Sequence, residues 1–362
     1  MLYNNSTMTS APVDNNVNAL KTQNMVERAQ KTHILQTDVW GDFKTAMGTK
    51  AIRVAGVQYT LHRLPKTNIA YAYCPKVNPK NIIWEELEKS LISNRCFAIK
   101  FDVPNIISTA ANYNNSNTKE LEIFTSKKGC IKTYKSTITQ NNVLLNIEEE
   151  ENKLLSNMHP KHRYNIKYAQ KKGVQVRITP YNNYDEQAKR DFEIFWNLQK
   201  ETRARQNFLT HSKNYFEKAF ETLGKQNAAF LITAEYRETP LTSWMVFIKD
   251  GTLYYPYGGS SEKYRNFQAS TLTGWEAITL GKKFNCDLFD MWGACKDLTK
   301  ESDPEVGFTT FKIRYGGTYV RFIDSYDYVL NKPIYHAFKN IYPKVLGGLK
   351  FAAKIKNLGK TS

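Results

Sequence analysis

The strongest constraint on the fold is the order of helix-like and strand-like segments, which do not alternate one for one. Two helix-like runs follow each other at residues 184–202 and 212–223, and three strand-like runs follow each other at 228–236, 241–249 and 252–257. A doubly wound parallel sheet needs strand and helix to alternate strictly along the chain. The sequence therefore predicts an α+β protein with mixed sheets.

A reversal of charge marks a predicted domain boundary near residue 150. Residues 148–151 are four glutamates in a row, which suit the positive end of a helix dipole, whereas residues 161–173 hold five cations and no acid. The chain of 362 residues is long enough for two domains. The first 30 residues are rich in Asn, Thr and Ser and are predicted to be a disordered leader.

The charge balance and the cysteines narrow the class of protein. The net charge of +17 predicts an anionic partner, which is a nucleic acid, a phosphorylated ligand or an anionic membrane surface. The five cysteines are odd in number and none is in C-x-x-C spacing, which argues against a disulfide framework or a zinc site and for a reducing cytoplasm. His159 and His162 lie three apart, but neighbouring cations disfavour a metal there, so we expect no metal.

Neither a secretory signal nor a membrane span is predicted, and the C-terminal segment leaves two interpretations open. Residues 331–362 hold seven lysines and no acid, with apolar residues at helical spacing in their first half. One interpretation is a helix packed on the protein body with a solvated basic face. The other is a surface that lies against anionic lipid head groups at the inner face of the membrane.

Common catalytic motifs are absent, because the chain has no G-x-x-x-x-G-K-[ST] loop, no G-x-S-x-G elbow and no H-E-x-x-H pair. One segment of interest runs from Tyr254 to Asn266. Tyr255 and Tyr257 are two apart and are predicted to face the same side of a strand. Gly258 and Gly259 let a ligand approach the backbone, and Ser260 with Ser261 is predicted to cap a helix. An ordinary strand–helix turn explains the same residues.

Three further segments carry candidate chemistry. Lys312 lies in a strand-like run bounded by glycines, where it is either on the wet face of an edge strand or set into a site as a charge stabiliser. Arg203 and Arg205 follow a helix, and they suit phosphate contacts or a solvated helix end. Asp290 and Trp292 share a strand face, which is also the pattern of a core strand with a hydrogen-bonded Asp.

Taken in order, these segments resemble the FemABX family of non-ribosomal peptidyltransferases, which build peptidoglycan cross-bridges. The resemblance covers residues 33 to about 330. Its elements are Gln36-x-x-x-Trp40-x-x-Phe43-Lys44, Lys100-x-Asp102-x-Pro104, Met158-x-x-Lys161-x-Arg163-Tyr164-Asn165-Ile166, Thr202-x-x-Arg205-x-x-Phe208, Tyr255-x-Tyr257-Gly258-x-Ser260-Ser261, Asp290-x-Trp292-Gly293 and Gly307-x-x-x-Phe311-Lys312-x-x-Tyr315-Gly316-Gly317.

The resemblance implies a fold and a reaction. The fold would be two tandem acyltransferase-like (GNAT-like) domains, in the compact form without a coiled-coil arm. The domains would be 31–150 completed by 318–346, and 151–317, with a basic tail at 347–362. The reaction would move an amino acid from aminoacyl-tRNA to a stem-peptide amine of a peptidoglycan precursor, either lipid II or its UDP-MurNAc-peptide form. The aminoacyl ester is already activated, so no cofactor is expected, and the setting would be the cytoplasm or its membrane surface.

The resemblance also implies roles for particular residues. Lys312 would stabilise the tetrahedral oxyanion or ribose oxygens of the tRNA end, and Asp102 would orient or deprotonate the attacking amine, although a substrate-assisted proton path would leave Asp102 dispensable. The substrate-binding residues would be Lys44 and Arg205 for the phosphates of the precursor and Tyr255 and Tyr257 for the acceptor site. Ser260 would also bind substrate. The tRNA-binding residues would be Arg163, Lys167, Lys171 and Lys172.

Two alternatives stay open from the sequence. One is an N-acyltransferase of the same fold that takes an acyl thioester, although Gly258-Gly259-Ser260 does not match the usual spacing of a pyrophosphate-binding loop. The other is a non-catalytic RNA-binding module that uses the basic segment from Lys161 to Lys172, in which case Lys312 and Asp102 would be exposed.

Overall fold

A computed structural model describes residues 27–28, 32–54, 56–103, 106–109, 117–133, 136–206, 210–300 and 302–340. The chain divides into two compact units. The larger unit comprises residues 1–33, 104–118 and 139–323, and the smaller unit comprises residues 34–103, 119–138 and 324–362. The predicted leader at 1–30, apart from residues 27–28, and the predicted basic tail at 347–362 lie outside the described residues.

The described residues form strands and helices in both units. The strands are β1 (Ala51–Val54), β2 (Val57–Arg63), β3 (Ala70–Cys74), β4 (Cys96–Phe101), β5 (Ile106–Thr109), β6 (Cys130–Lys132), β7 (Asn141–Asn146), β8 (Gln175–Pro180), β9 (Ala229–Tyr236), β10 (Thr239–Lys249), β11 (Thr252–Ser260), β12 (Leu288–Gly293), β13 (Thr318–Phe322) and β14 (Tyr326–Val329). The α-helices are α1 (Asp38–Ala46), α2 (Trp84–Ser93), α3 (Asn117–Lys127), α4 (Glu151–Asn157), α5 (Pro160–Lys171), α6 (Glu186–Gln206), α7 (Lys213–Gly224), α8 (Ala269–Lys283) and α9 (Val306–Ile313).

Each unit is built on one mixed sheet. The smaller unit has a six-stranded sheet in the order β1-β2-β3-β4-β14-β6, and the larger unit has an eight-stranded sheet in the order β5-β13-β7-β12-β11-β10-β9-β8. Within each sheet one pair of neighbours is parallel, β3 with β4 and β11 with β12, and the other pairs are antiparallel. The predicted α+β class with mixed sheets is confirmed.

Each parallel pair is joined by a connection that carries a helix. Parallel neighbours cannot be linked by a tight turn, because the chain must return to the starting edge before the second strand begins. Helix α2 lies in the connection from β3 to β4, and α8 lies in the connection from β11 to β12. In the larger unit, β11 ends at Ser260, and the chain continues from Ser261 into the loop that leads to α8.

The core of the larger unit is formed by apolar side chains of the central strands and of helices α5 and α8, and α9 packs Phe311 and Ile313 against it. Trp244, Phe289 and Ile278 are almost completely buried in it. Helices α6 and α7, where a coiled-coil arm would be inserted, instead pack on strands of the sheet. Burying the faces of β10 and β11 on both sides explains why these strands read as nearly continuous apolar runs in the sequence.

The predicted domains and the observed units assign four segments differently. The sequence prediction placed residues 31–33, 104–118, 139–150 and 318–323 in the first domain, and all four belong to the larger unit. In the structure, β7 pairs with β12 and β13 pairs with β7, so these strands belong to the sheet of the larger unit. The return of the C-terminal chain to the smaller unit begins at Asp324, and β14 inserts between β4 and β6.

The helix that Ser260 and Ser261 are predicted to cap begins only at Ala269, eight residues after Ser261. Strand β11 extends through Ser260, and α8 starts at Ala269 with Gln268 as its N-terminal flanking residue. Ser260 and Ser261 therefore do not cap that helix. The segment between β11 and α8 bends at Tyr264 and Gln268. Their φ values of 48° and 61° are left-handed and incompatible with a continuous helix.

We expect Gly259→Ala to destabilise the larger unit. A Cβ at Gly259 would lie 2.4 Å from the carbonyl carbon of Leu198 and 2.6 Å from the nitrogen of Gln199, both in the backbone of α6, which cannot rotate away. Overpacking of this kind costs about 1–3 kcal/mol of unfolding free energy, which urea titration measures. Gly307→Ala is the matched control, because no atom lies within 4 Å of its new Cβ. Equal unfolding free energies for the two variants would contradict this packing.

Candidate active site

Lys312 lies in a helix, not in the predicted strand. The run from Gly307 to Gly317 looks strand-like because Lys312 sits between Phe311 and Ile313, but residues Val306–Ile313 form α9. The helix is selected by the spacing of Phe308, Phe311 and Tyr315, which places aromatic rings on neighbouring turns. The ring of Phe311 lies 5.4 Å from that of Tyr315, and both pack against His162.

The side chain of Lys312 is enclosed by the larger unit. It is 1% exposed, and its Nζ donates a hydrogen bond of 2.7 Å to the carbonyl oxygen of Gly293. The Nζ lies 3.8 Å from the centre of the Phe308 ring and 5.8 Å from that of Tyr255. A cation over aromatic faces is stabilised by the ring quadrupole, and this partly replaces the water that burial removes.

Burial determines the protonation of Lys312. Loss of hydration lowers the pKa of its ammonium to about 7, while the negative charges of Asp290 and Glu305 act in the opposite direction. A lysine in this state exchanges its proton near neutral pH. It is therefore suited either to stabilise a developing negative charge or to transfer a proton.

Asp290 lies at the centre of a buried polar cluster in the larger unit. Its Oδ1 accepts hydrogen bonds from the backbone N–H of Trp292 at 2.7 Å and from Nδ2 of Asn142 at 3.0 Å. Its Oδ2 lies 3.6 Å from Nε2 of His33. The prediction of a hydrogen-bonded Asp in a core strand agrees with these contacts, and they leave the carboxylate facing the segment that ends at Gly293.

A bulge in β11 places Tyr255 and Tyr257 on opposite faces of the sheet, which contradicts the expectation that they share one face. Met245 pairs with Tyr257 and Phe247 pairs with Tyr254, so β11 holds one extra residue in this interval. Tyr255 stacks on Trp244 with ring centres 3.7 Å apart, on the face that carries α9. Tyr257 instead contacts α7.

The tyrosine on the α7 side has its own polar partner. The hydroxyl of Tyr257 lies 3.2 Å from that of Tyr215, and the ring of Tyr215 stacks on His211 with centres 3.7 Å apart. Burial raises the pKa of both Tyr255 and Tyr257, so both phenols are neutral at physiological pH. Of the two predicted acceptor-site tyrosines, only Tyr255 lies beside Lys312.

Arg205 and Ser260, which are both predicted to bind substrate, are in contact and line the same cavity. The guanidinium of Arg205 donates to the carbonyl oxygen and to Oγ of Ser260, both at 3.1 Å, and its Nε lies 3.1 Å from a carboxylate oxygen of Glu262. A cavity of about 310 Å³ is lined by these residues together with Lys263 and Arg265. Cations and hydroxyl groups therefore converge on one opening of the larger unit.

Helix α5 presents the predicted tRNA-binding residues on its surface. Pro160 occupies its first position and its twelve residues include no acid. Lys167, Lys171 and the adjoining Lys172 are exposed, whereas the guanidinium of Arg163 is turned inward and donates to the carbonyl oxygens of Ser156 and Met158. Arg163 therefore joins α5 to α4 in this structure.

Two predicted residues lie in the smaller unit. Asp102 is 5% exposed, and its two carboxylate oxygens accept hydrogen bonds from the hydroxyls of Tyr73 and Ser325. Lys44 is half-buried in α1, and burial lowers the pKa of its ammonium. The pKa of His62 is also lowered, mainly by burial of its ring and to a smaller extent by the positive charge of Lys44. Lys312 and Arg205 belong to the other unit, so the structure does not bring all predicted site residues into one unit.

Two contact residues of the Lys312 site were not singled out from the sequence. Phe308 carries the ring beneath the ammonium, and its spacing of four from Lys312 would have indicated this contact had the segment been predicted as a helix. Asn142 is identified only by the pairing of β7 with β12, which no local pattern reveals.

Within the described ranges, no group of three or more His, Cys, Asp or Glu side chains is arranged to hold a metal ion. Within the same ranges, no helix combines the length and the apolar character that crossing a bilayer requires.

Comparison with known proteins gives a consistent result. The sequence model of the FemAB family matches residues 18–236 and 225–343. A lipid II:glycine glycyltransferase of Staphylococcus epidermidis is 22% identical over 406 aligned residues, covering 89% of this chain and 94% of that protein. The aminoacyltransferase FemA of Staphylococcus aureus is 26% identical over 101 residues, covering 28% of this chain and 24% of that protein.

A solved structure has a similar fold. The crystal structure of FemX has a TM-score of 0.71 with this chain at 17% sequence identity, and the match covers 91% of this chain and 99% of FemX. At that level of identity the similarity concerns the fold alone.

We expect Lys312→Met to stabilise the protein in a pH-dependent manner. The ordinary pKa of lysine is 10.5 and that of Lys312 is about 7, so the unfolded chain binds more protons between these values and wild-type stability rises with pH there. Removing the ammonium therefore increases the unfolding free energy most at pH 6–7, and the gain disappears towards pH 10.5. Urea titrations of both proteins across this range measure the difference, and a gain that is independent of pH would contradict the burial of a charged Lys312.

Proposed function

The chain belongs to the FemAB family, and on that premise we propose that it is an aminoacyltransferase that moves an amino acid from aminoacyl-tRNA to a stem-peptide amine of a peptidoglycan precursor. The full-length relative is named for the transfer of glycine to lipid II, which supports lipid II as the precursor. The observation that carries the proposal is that Lys312 is buried and has a pKa of about 7, which is close to neutral pH.

The reaction needs one developing negative charge to be stabilised. The acceptor amine attacks the ester carbonyl, a C–N bond forms, and the carbonyl oxygen becomes an oxyanion. Collapse of this intermediate breaks the C–O bond to the ribose, and the proton lost by the amine ends on the ribose oxygen. An ammonium held in a site of low dielectric stabilises the oxyanion more strongly than a hydrated one. We assign this role to Lys312.

The cavity beside Arg205 suits the diphosphate of a precursor. Arg205, Lys263 and Arg265 supply three cations, and the hydroxyl of Ser260 is already within hydrogen-bond distance of the guanidinium. Arginine binds phosphate in a two-point geometry, and here a phosphate would replace the carboxylate of Glu262. Lys44 remains a proposed phosphate ligand in the smaller unit, and Asp102 remains a proposed acceptor of the amine proton.

Helix α5 suits the RNA part of the donor. Tyr164, Lys167, Tyr168 and Lys171 recur at helical spacing on one face. The ring of Tyr164 is 65% exposed and stacks on that of Tyr168 with centres 5.8 Å apart. Exposed aromatic rings between lysines provide stacking for unpaired bases and attraction for phosphates. The reaction then takes place where charged tRNA is available, which is the cytoplasm.

The proposed reaction is tested by incubating the protein with total charged tRNA and lipid II, and in parallel with the UDP-linked precursor. Mass spectrometry of the product reads the added residue. We expect a mass increase of one or more amino acids that disappears after treatment of the tRNA with ribonuclease.

In the same assay, Lys312→Met is expected to reduce the single-turnover rate by at least about tenfold while precursor binding persists, because a contact made only in the transition state is lost. Lys50→Met is the control, since Lys50 is exposed and belongs to none of the proposed sites. An unchanged rate for Lys312→Met would remove Lys312 from the mechanism.

The RNA surface is tested by the salt dependence of tRNA binding. Each lost phosphate contact reduces the slope of log affinity against log salt by about one, so Lys167→Ala with Lys171→Ala should reduce it by about two. Tyr164→Ala should weaken binding without changing the slope, because stacking is not ionic. Lys50→Ala is the control for a simple change of net charge, and a slope change equal to that of a single α5 lysine would contradict a specific surface.

A further inference from the structure

We propose that Asp290 is the positioning residue that keeps the Lys312 ammonium charged and directed at the carbonyl of Gly293. The inference rests on the proposed function for its catalytic meaning and deepens it by naming what controls the charge of the stabilising group. It does not assign Asp290 a contact with either substrate.

The first part of the argument is the turn that Asp290 forms. Its Oδ1 accepts from the N–H of Trp292 at 2.7 Å, which is the side-chain turn that Asp makes with the backbone two residues later. Nδ2 of Asn142 donates to the same oxygen at 3.0 Å and fixes its orientation. The carboxylate is 4% exposed, so these contacts replace its hydration.

The turn holds an unfavourable backbone conformation. Trp292 has φ of 63°, the left-handed region that a bulky residue rarely adopts. The pairing of β12 with β7 is in register up to Asp290 and is interrupted before Gly293. Pairing resumes at Gly293, directly after this irregularity, and the carbonyl oxygen of Gly293 accepts the hydrogen bond of 2.7 Å from Lys312.

The second part of the argument is charge. Two carboxylates raise the pKa of Lys312 against the effect of burial, and Asp290 contributes more than Glu305. Asp290 is buried, whereas Glu305 is exposed at the start of α9, where water screens its charge. Asp290 is therefore the acid whose charge acts through the protein interior.

Other titratable groups lie around this pair, on the elements packed against it. Tyr255 on β11 and Tyr315 after α9 have pKa values raised by burial, and burial lowers the pKa of His162 on α5 to about 4, so these groups are neutral near pH 7. Nε2 of His33 lies 3.6 Å from Oδ2 of Asp290.

A purely structural role does not explain the carboxylate. An asparagine at position 290 would accept from Trp292 and Asn142 through the same oxygen, and burying an amide costs less than burying a charge. The additional feature that the carboxylate supplies is its negative charge, which faces His33 at 3.6 Å and also favours the protonation of Lys312.

The test measures the protonation of Lys312 directly. Lysine is labelled with 13C at Cε, the Lys312 resonance is assigned by its loss in Lys312→Met, and its midpoint is followed by NMR between pH 5 and 10. In Asp290→Asn, which keeps the hydrogen-bond acceptor, the midpoint should fall by about one pH unit. The matched control Glu305→Gln removes an equal but exposed charge and should give a clearly smaller shift.

Two results would overturn the inference: an unchanged midpoint in Asp290→Asn, or a larger shift in Glu305→Gln than in Asp290→Asn. If Asp290→Asn alone does not fold, the same comparison is made in a Trp292→Gly background, because glycine adopts a φ of 63° without strain. There, too, the midpoint must fall on removal of the carboxylate.

The titration needs no substrate, so its outcome is separate from that of the transfer assay. A midpoint that falls in a protein with no transfer activity would refute the proposed function and leave the electrostatic link between Asp290 and Lys312 intact. Where transfer is observed, the pH dependence of its single-turnover rate in Asp290→Asn should move to lower pH by the same amount as the NMR midpoint. A structural defect alone would lower the rate without moving the profile.

Discussion

An ammonium that is almost completely buried needs interactions that replace its lost hydration, and residues of the larger unit supply them to Lys312. The carbonyl of Gly293 accepts its hydrogen bond, the ring of Phe308 lies beneath it, and the carboxylate of Asp290 opposes the loss of its charge. These contributions come from β12 and α9, and β12 is held in the sheet by its pairing with β11 and β7. Burial nevertheless disfavours the charged form, as the lowered pKa of Lys312 shows.

The bulge in β11 gives one strand two different environments. The extra residue between the Tyr254 and Tyr257 pairs directs Tyr255 to the Lys312 face and Tyr257 to the α7 face. At the end of the same strand Ser260 meets Arg205 beside the cationic cavity. One strand thus supplies an aromatic ring for the buried ammonium and a hydroxyl for the proposed phosphate site.

The sequence predicts the fold class, because the irregular order of helix-like and strand-like runs can be read along the chain. It points to Lys312 because the motifs shared with the FemABX family occur in the same order along the chain. It does not predict that Lys312 lies in a helix, since Phe311-Lys312-Ile313 reads as a strand until Phe311 and Tyr315 are packed against His162. The bulge depends on register with β10, and the left-handed Trp292 contradicts the preference of a bulky residue. Such features are decided by tertiary contacts that no short segment encodes.

The central claim is that Lys312 acts through its positive charge. It is tested most directly by the ratio of the single-turnover transfer rates of the wild type and Lys312→Met, measured from pH 6 to pH 9. The ratio cancels the titration of the acceptor amine, which is common to both proteins. The account predicts that the ratio falls towards one as pH rises above the pKa of Lys312, about 7 in the unliganded protein. A ratio that rises with pH would show that the neutral amine is the active form, and it would contradict the account.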